Sequence, residues 1–253
     1  MLVQGTAEAG PSFFLDRKAL RARGLSLRSA WDKARPYPHV VVDGFLGDEL
    51  ARPLAAAFPR PDHAGWMRRD HREQAARLGQ LQRTGFEGVD SRLRHLLAEL
   101  SGMAFLGFLE ALTGIEGLIG DPWFRGAGLS LTLPGGHLAL HADFNRDRTR
   151  HLARRVTVLY YLAEDWEPSW GGALELWNEA RTRCEASHLP LLDRLVVMAH
   201  GDAFWHGHPH PLTCPEGRSR NVVSAYYYVA ESTSAEDDAH GAIWAPPPGE
   251  PPP

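Results

Sequence analysis

Cysteine is scarce, with only Cys184 and Cys214 in 253 residues. Two thiols cannot build a disulfide framework, and so low a count fits a reducing compartment. A basic excess is also missing: 31 acidic side chains against 27 basic ones leave a formal charge of −4. That balance favours neither nucleic acid nor an anionic membrane surface as the main partner. Long apolar runs are absent as well, so no stretch approaches transmembrane length. Residues 1–16 hold a lone Phe13-Phe14-Leu15 cluster and lack the basic start and apolar core of a signal peptide. The expected location is therefore the cytoplasm. No internal repeat is visible, and the length allows one large domain or two small ones with a sizeable core.

What is present changes character along the chain. From Asp16 to Ala34, Leu20, Leu27 and Trp31 mark a helical pattern among interspersed Arg and Lys, read as a solvated helix face before an anion-binding one. Tyr37-Pro38-His39-Val40-Val41-Val42 predicts a turn and short strand, then a helix through Leu50, Leu54 and Phe58 that Pro53 weakens outside the first turn. Residues 60–90 are polar, Arg-rich and weakly periodic, so they are expected to be a long loop or mobile flap, either a lid over substrate or a variable insertion. Leu93, Leu96, Leu97 and Leu100 mark one helix, and Phe105, Phe108, Leu109 and Leu112 another that stops at Gly114.

After Gly120, segments at 128–133, 137–144, 155–162, 172–177, 194–199 and 220–230 are rich in Val, Leu, Thr and Tyr, with Gly- and Pro-rich connections between them. That spacing predicts an all-β half, a sandwich or jelly roll, buttressed by the preceding helices. Residues 245–253 are nearly all proline, an extended tail for which a proline-motif ligand is a secondary reading.

Two stretches carry metal-ligand chemistry: His141-Ala142-Asp143, and His206-Gly207-His208-Pro209-His210 with Arg220 beyond it. Alternate side chains of a strand point the same way, so an imidazole at 141 and a carboxylate at 143 project together. A third ligand from a neighbouring strand would complete a 2-His-1-carboxylate set with open positions on Fe(II). Between the two stretches lie an apolar strand, Val156 to Leu162, and Gly171-Gly172-Ala173-Leu174-Glu175-Leu176.

These four motifs, in this order over roughly residues 36–230, resemble the 2-oxoglutarate and Fe(II)-dependent dioxygenases, in particular the prolyl 4-hydroxylase-like branch. The resemblance implies an α+β, mainly β fold: a double-stranded β-helix (jelly roll) core at about 120–230, inside a dioxygenase domain of 36–232. Residues 1–35 are then a helical extension and 233–253 a C-terminal one. It further implies Fe(II), 2-oxoglutarate as cosubstrate and O₂, with ascorbate a further candidate. His141 and Asp143 match the family's metal-binding pair. His208, with Pro211-Leu212-Thr213 after it and Arg220 twelve positions on, is the expected distal ligand; His206 and His210 are the alternatives. Arg220, with Arg218 as rival, matches the basic residue that pairs with the distal carboxylate of 2-oxoglutarate, a task suited to a planar guanidinium. Thr157 and Tyr161 share a strand face and are candidates to supplement that contact. The family often has a tyrosine on the strand before the His-x-Asp pair, where this chain has Ser130, Leu131, Thr132 and Leu133.

The implied reaction hydroxylates an unactivated C–H bond, of a prolyl residue, a related amino acid or a small metabolite, and converts 2-oxoglutarate to succinate and CO₂. The metal carries the hard step, so no separate catalytic base is required. Trp177, Phe204, Trp205 and Tyr226 to Tyr228 can wall off an oxidant, although a β core needs aromatics in any case. The competing readings are a cupin-type metal enzyme and a non-catalytic jelly-roll binding module with structural histidines.

Overall fold

Buried strands need a covering layer on one face and a filled interior on the other, and the computed structural model of this chain, which describes residues 13–231 and 239–245, supplies both. Four helices come mostly first: α1 (Arg17–Lys33), α2 (Asp48–Ala56), α3 (Ser91–Leu100) and α4 (Met103–Thr113). Strands β1 (His39–Val42), β2 (Met67–His71), β3 (Gln74–Gly79) and β4 (Ile119–Gly120) are interspersed with them. The β half follows: β5 (Gly128–Ala142), β6 (Arg146–Asp147), β7 (Leu152–Tyr161), β8 (Leu174–Trp177), β9 (Cys184–His188), β10 (Arg194–Ala199), β11 (His206–His208), β12 (Arg220–Ala230) and β13 (Ile243–Trp244).

The main path of the antiparallel sheet runs β1-β10-β7-β12-β5-β11-β8-β9. It curls into a nearly closed barrel, the expected jelly roll. The pivot is β5, whose first half pairs with β12 and whose second half pairs with β11. One long strand therefore replaces the two segments expected at 128–133 and 137–144. Two further strands, β9 and β11, escaped the sequence reading: β9 is polar and partly exposed, and β11 has only three residues.

The helices bury their apolar stripes against the outer face of the sheet. Leu93, Leu96 and Leu97 of α3 and Phe105, Phe108 and Leu112 of α4 join Val156, Val158, Tyr160, Val223 and Tyr227 in one core. Asp16 caps α1, accepting from the backbone N–H of Ala19. Asp193 is a buried junction that accepts from the N–H groups of Leu46 and Gly47 at 2.9 and 2.7 Å and from the Tyr160 hydroxyl at 2.8 Å. It ties the entry of α2 to the sheet. Pro53 is the sixth residue of α2, outside the first turn, and the helix stops three residues later.

Residues 60–90 are not an irregular loop. Strands β2 and β3 form a hairpin, and β3 adds to the edge of β5. The hairpin lacked an apolar alternation because one face meets solvent and the other meets a charged cavity. The two-residue β13 also pairs with β5, at Ala142 and His141. The proline run from residue 246 on lies outside the described residues. Among them, no single helix is long and apolar enough to cross a membrane.

Helix α1 packs on α4 closely enough that a Cβ on Gly24 would lie 2.5 Å from the Phe108 carbonyl oxygen. Gly24→Ala gains about 1 kcal/mol of helix propensity, but backbone meets backbone there and overpacking costs about 1–3 kcal/mol. A lower urea midpoint is the expected outcome. Burial also pushes His188 and His200 down to about 4. Both are neutral when folded at pH values where the unfolded chain binds protons. Their contribution is complete above about pH 6.5 and is lost as the pH falls toward 4. Equilibrium unfolding of the metal-free protein at stepped pH should show that decline.

Candidate metal centre

The metal-ligating geometry begins with register. In the β5–β11 pair His206 stands directly opposite His141, and their rings lie 4.5 Å apart. Gly207 makes the approach possible, since a Cβ there would be 2.7 and 2.8 Å from the carbonyl oxygens of Ala139 and Leu138. Asp143 follows the end of β5. The Nε2 atoms of His141 and His206 lie 3.6 and 3.4 Å from its two carboxylate oxygens. Potential ligand atoms of all three residues fall within 4.8 Å of one another. Metal–ligand bonds of about 2.1 Å meeting at right angles place donors about 3 Å apart, so the set can close on one ion.

The other ring nitrogens prepare those atoms. His141 Nδ1 and His206 Nδ1 each lie 3.0 Å from a backbone carbonyl, of Ala139 and Phe204 respectively. Donation from Nδ1–H leaves the Nε2 lone pair facing the centre. Phe204 and Trp205 are held in turn by Tyr37, whose ring stacks on Phe204 at 4.4 Å and whose hydroxyl donates to the Trp205 carbonyl.

Asp143 is a buried carboxylate. Burial alone would raise its pKa, but the Arg154 guanidinium and His206 outweigh that and hold it well below the usual range. Arg154 is 1% exposed and donates from Nη2 to Asp143 Oδ2 at 2.6 Å and to the Thr157 hydroxyl at 2.8 Å. Its guanidinium stacks 3.3 Å from the Tyr226 ring centroid. Burial, with His206 adjacent, lowers His141, which keeps an imidazole lone pair available at neutral pH.

The expected pair His141 and Asp143 is thus together, but the expected distal ligand His208 is not in the group; His206 stands there instead. His208 sits opposite Leu138, beyond a register shift. It is 2% exposed and neither of its ring nitrogens has a hydrogen-bond partner. It lines the same cavity farther along, where burial and then Arg220 and Arg77 keep it well below its ordinary pKa. His210 points outward, with a side chain 81% exposed.

Arg220 lines this cavity, donating from Nε to the Gly172 carbonyl at 2.7 Å and from Nη2 to the Tyr161 hydroxyl at 3.0 Å. Burial lowers Arg220 and raises Tyr161, and each counteracts the other's shift. The rival Arg218 is partly exposed and faces the Glu164 and Asp165 loop. Thr157 departs from expectation, for its hydroxyl is engaged with Arg154 and Asp143 at the metal end. Four residues of strand, about 13 Å, separate it from Tyr161 at the arginine end. Among the nominated aromatics only Tyr226 lines the cavity. Trp244, which the sequence reading missed, lies 5.1 Å from the His141 ring.

Two imidazoles and a carboxylate on one side of an ion leave the opposite positions open, the arrangement of non-haem Fe(II) oxygenases. The comparisons with known proteins agree with that class. Residues 127–228, the stretch that holds His141, Asp143, His206 and Arg220, match the 2OG-Fe(II) oxygenase superfamily. Its fold is similar to that of a Pseudomonas putida prolyl-4-hydroxylase (21% identity, 81% of this chain and 98% of that one, TM-score 0.55). A Trichoplax adhaerens prolyl hydroxylase, solved with a hypoxia inducible factor peptide fragment, aligns at TM-score 0.59 with 15% identity over 83% and 91% of the two chains. HygX from Streptomyces hygroscopicus, solved with nickel and 2-oxoglutarate, aligns at TM-score 0.52 with 13% identity over 81% and 86%. At such identities these three speak for the fold alone. No curated protein matches the sequence significantly.

His206→Ala should abolish binding of Co(II), followed by its visible ligand-field bands, while His208→Ala retains it. Arg154→Met should weaken metal affinity about 10- to 100-fold, the usual effect of removing a ligand's supporting partner. It should also cost the metal-free protein about 3–5 kcal/mol, because a buried carboxylate is left unpaired. Calorimetric metal titration and urea unfolding check the two effects.

Proposed function

We propose that this chain is a 2-oxoglutarate-dependent dioxygenase, with Fe(II) and 2-oxoglutarate as its cofactors, that hydroxylates an unactivated C–H bond of a prolyl residue, a related amino acid or a small metabolite. The balanced reaction is R–H + O₂ + 2-oxoglutarate → R–OH + succinate + CO₂. The supporting observation is that His141, Asp143 and His206 share one cavity of about 280 Å³ with the buried Arg220.

Bound Fe(II), with 2-oxoglutarate as the electron donor, would supply the activation of O₂. His141, Asp143 and His206 would hold the ion. Arg154 and Thr157 engage Oδ2 of Asp143 and so leave Oδ1 to ligate. Arg220 spends Nε–H on Gly172 and one Nη2–H on Tyr161, and the rest of its fork would bind the distal carboxylate of 2-oxoglutarate. Tyr161 therefore positions the arginine, and Thr157 serves the metal end. Trp244 and Tyr226 help exclude water around the centre. No side chain needs to act as general acid or base.

Anaerobic addition of Fe(II) and 2-oxoglutarate should give a visible charge-transfer band that is lost in His141→Ala and His206→Ala. An iron-loaded protein that never develops the band and never forms succinate would refute the dioxygenase chemistry. Arg220→Ala should weaken 2-oxoglutarate binding about a hundredfold, reflecting roughly 3 kcal/mol for one partner of a buried charge pair, with metal affinity unchanged.

A further inference from the structure

The cavity holds more positive charge than the cosubstrate uses. On the β2–β3 hairpin, Arg69 and Arg77 stand directly opposite each other in register, and both line the cavity that contains the metal-ligand cluster. Like charges facing across a strand pair repel. Among the described residues the Arg69 side chain has neither a hydrogen bond nor an ion pair. Arg77 makes one hydrogen bond, from Nη1 to the Gln74 side-chain oxygen at 3.1 Å, while its Nε is buried without an acceptor. Arg220 is close as well: Thr132 of β5 is flanked by Arg77 on one side and Arg220 on the other. Burial, with Arg220 and Arg69 nearby, brings Arg77 down to about 10, so it remains a cation at neutral pH.

No acid in the wall balances these guanidiniums. Asp143 is the one carboxylate among the described residues lining the cavity, and Arg154 already holds it. On the reading of the site given above, 2-oxoglutarate brings two carboxylates, one for the metal and one for Arg220. Arg69 and Arg77 are left over, on the covering hairpin.

We propose that Arg69 and Arg77 form an anion subsite for the substrate, and that the substrate is a small carboxylate-bearing molecule, of the free amino acid type, in preference to a neutral internal stretch of peptide. Two guanidiniums held opposite each other suit a carboxylate placed between them. The repulsion in the empty hairpin becomes attraction when the anion enters. The size of the cavity, about 280 Å³ with 2-oxoglutarate to be housed as well, fits a small acid.

The test uses acetate and sulfate as probes, with acetamide as the neutral control, on protein loaded with Ni(II) and 2-oxoglutarate. Thermal midpoints are read against probe concentration at ionic strength matched with chloride. The expected result is a saturable rise with acetate and sulfate and none with acetamide. The apparent affinity for both anions should fall at least tenfold in Arg69→Gln/Arg77→Gln and return in Arg69→Lys/Arg77→Lys. Without anion, the glutamine double variant should melt no lower than the parent, since the repulsion is gone; a substantially lower midpoint would mean the arginines are structural. An anion response unchanged by the double substitution overturns the proposal. So does a tenfold loss of 2-oxoglutarate affinity in that variant, which would assign the pair to the cosubstrate. Failure of the dioxygenase reading would register separately, as absence of the Fe(II)–2-oxoglutarate band in the parent protein.

Discussion

Asp143 is a negative charge buried in the barrel, and the centre depends on how that charge is kept. A lone carboxylate so placed would take up a proton and could no longer ligate a metal. Arg154 prevents this by ion pairing at 2.6 Å, with Thr157 completing the contact. Arg154 in turn is itself a buried cation, tolerable because Asp143 and the faces of Tyr226 and Phe144 surround it. Buried pairs of this kind contribute little net stability but penalise the loss of either partner. The interaction thus serves the centre's charge state more than the fold.

The architecture separates the two requirements. Helices α3 and α4 cover the outer face of the sheet and supply the apolar core, leaving the inner face free to be polar. Within that inner space charge is graded. The metal end has two imidazoles and a carboxylate, and the far end has Arg220 with Tyr161. The hairpin roof adds Arg69 and Arg77. On the proposed function, a dianionic cosubstrate held between the metal and Arg220 would match the gradient, and the roof would have cationic capacity to spare for the substrate.

Much of the fold was legible in the sequence because strong periodicity needs no tertiary information. Leu93 to Leu100 and Phe105 to Leu112 read as helices from their stripes, and Val156 to Tyr161 and Val222 to Tyr228 read as strands from their composition. Residues 67–79 misled for a physical reason: a hairpin with solvent on one face and an ionic cavity on the other carries no apolar alternation. Choosing among three closely spaced histidines was beyond local pattern. His206 and His208 alternate on the same strand, so parity cannot separate them, and the order of motifs in related proteins favoured His208, whereas the register groups His206 with His141 and Asp143.

Arg154 shows the limit most clearly. Strict alternation along β7 would put it with Val156 on the helix-facing side. The pairing with β12 shifts between Tyr227 and Tyr228, leaving Arg155 as an extra residue, and this bulge turns Arg154 inward, as bulges do. By itself the sequence determined the element types, the His141–Asp143 pair and the candidate anchor Arg220, since each follows from local periodicity or from a short motif. Only the tertiary structure decided that His206 faces His141, that Arg154 guards Asp143, and that Arg69 and Arg77 meet above the cavity. Those facts depend on strand register, which is set by pairing between segments far apart in the chain.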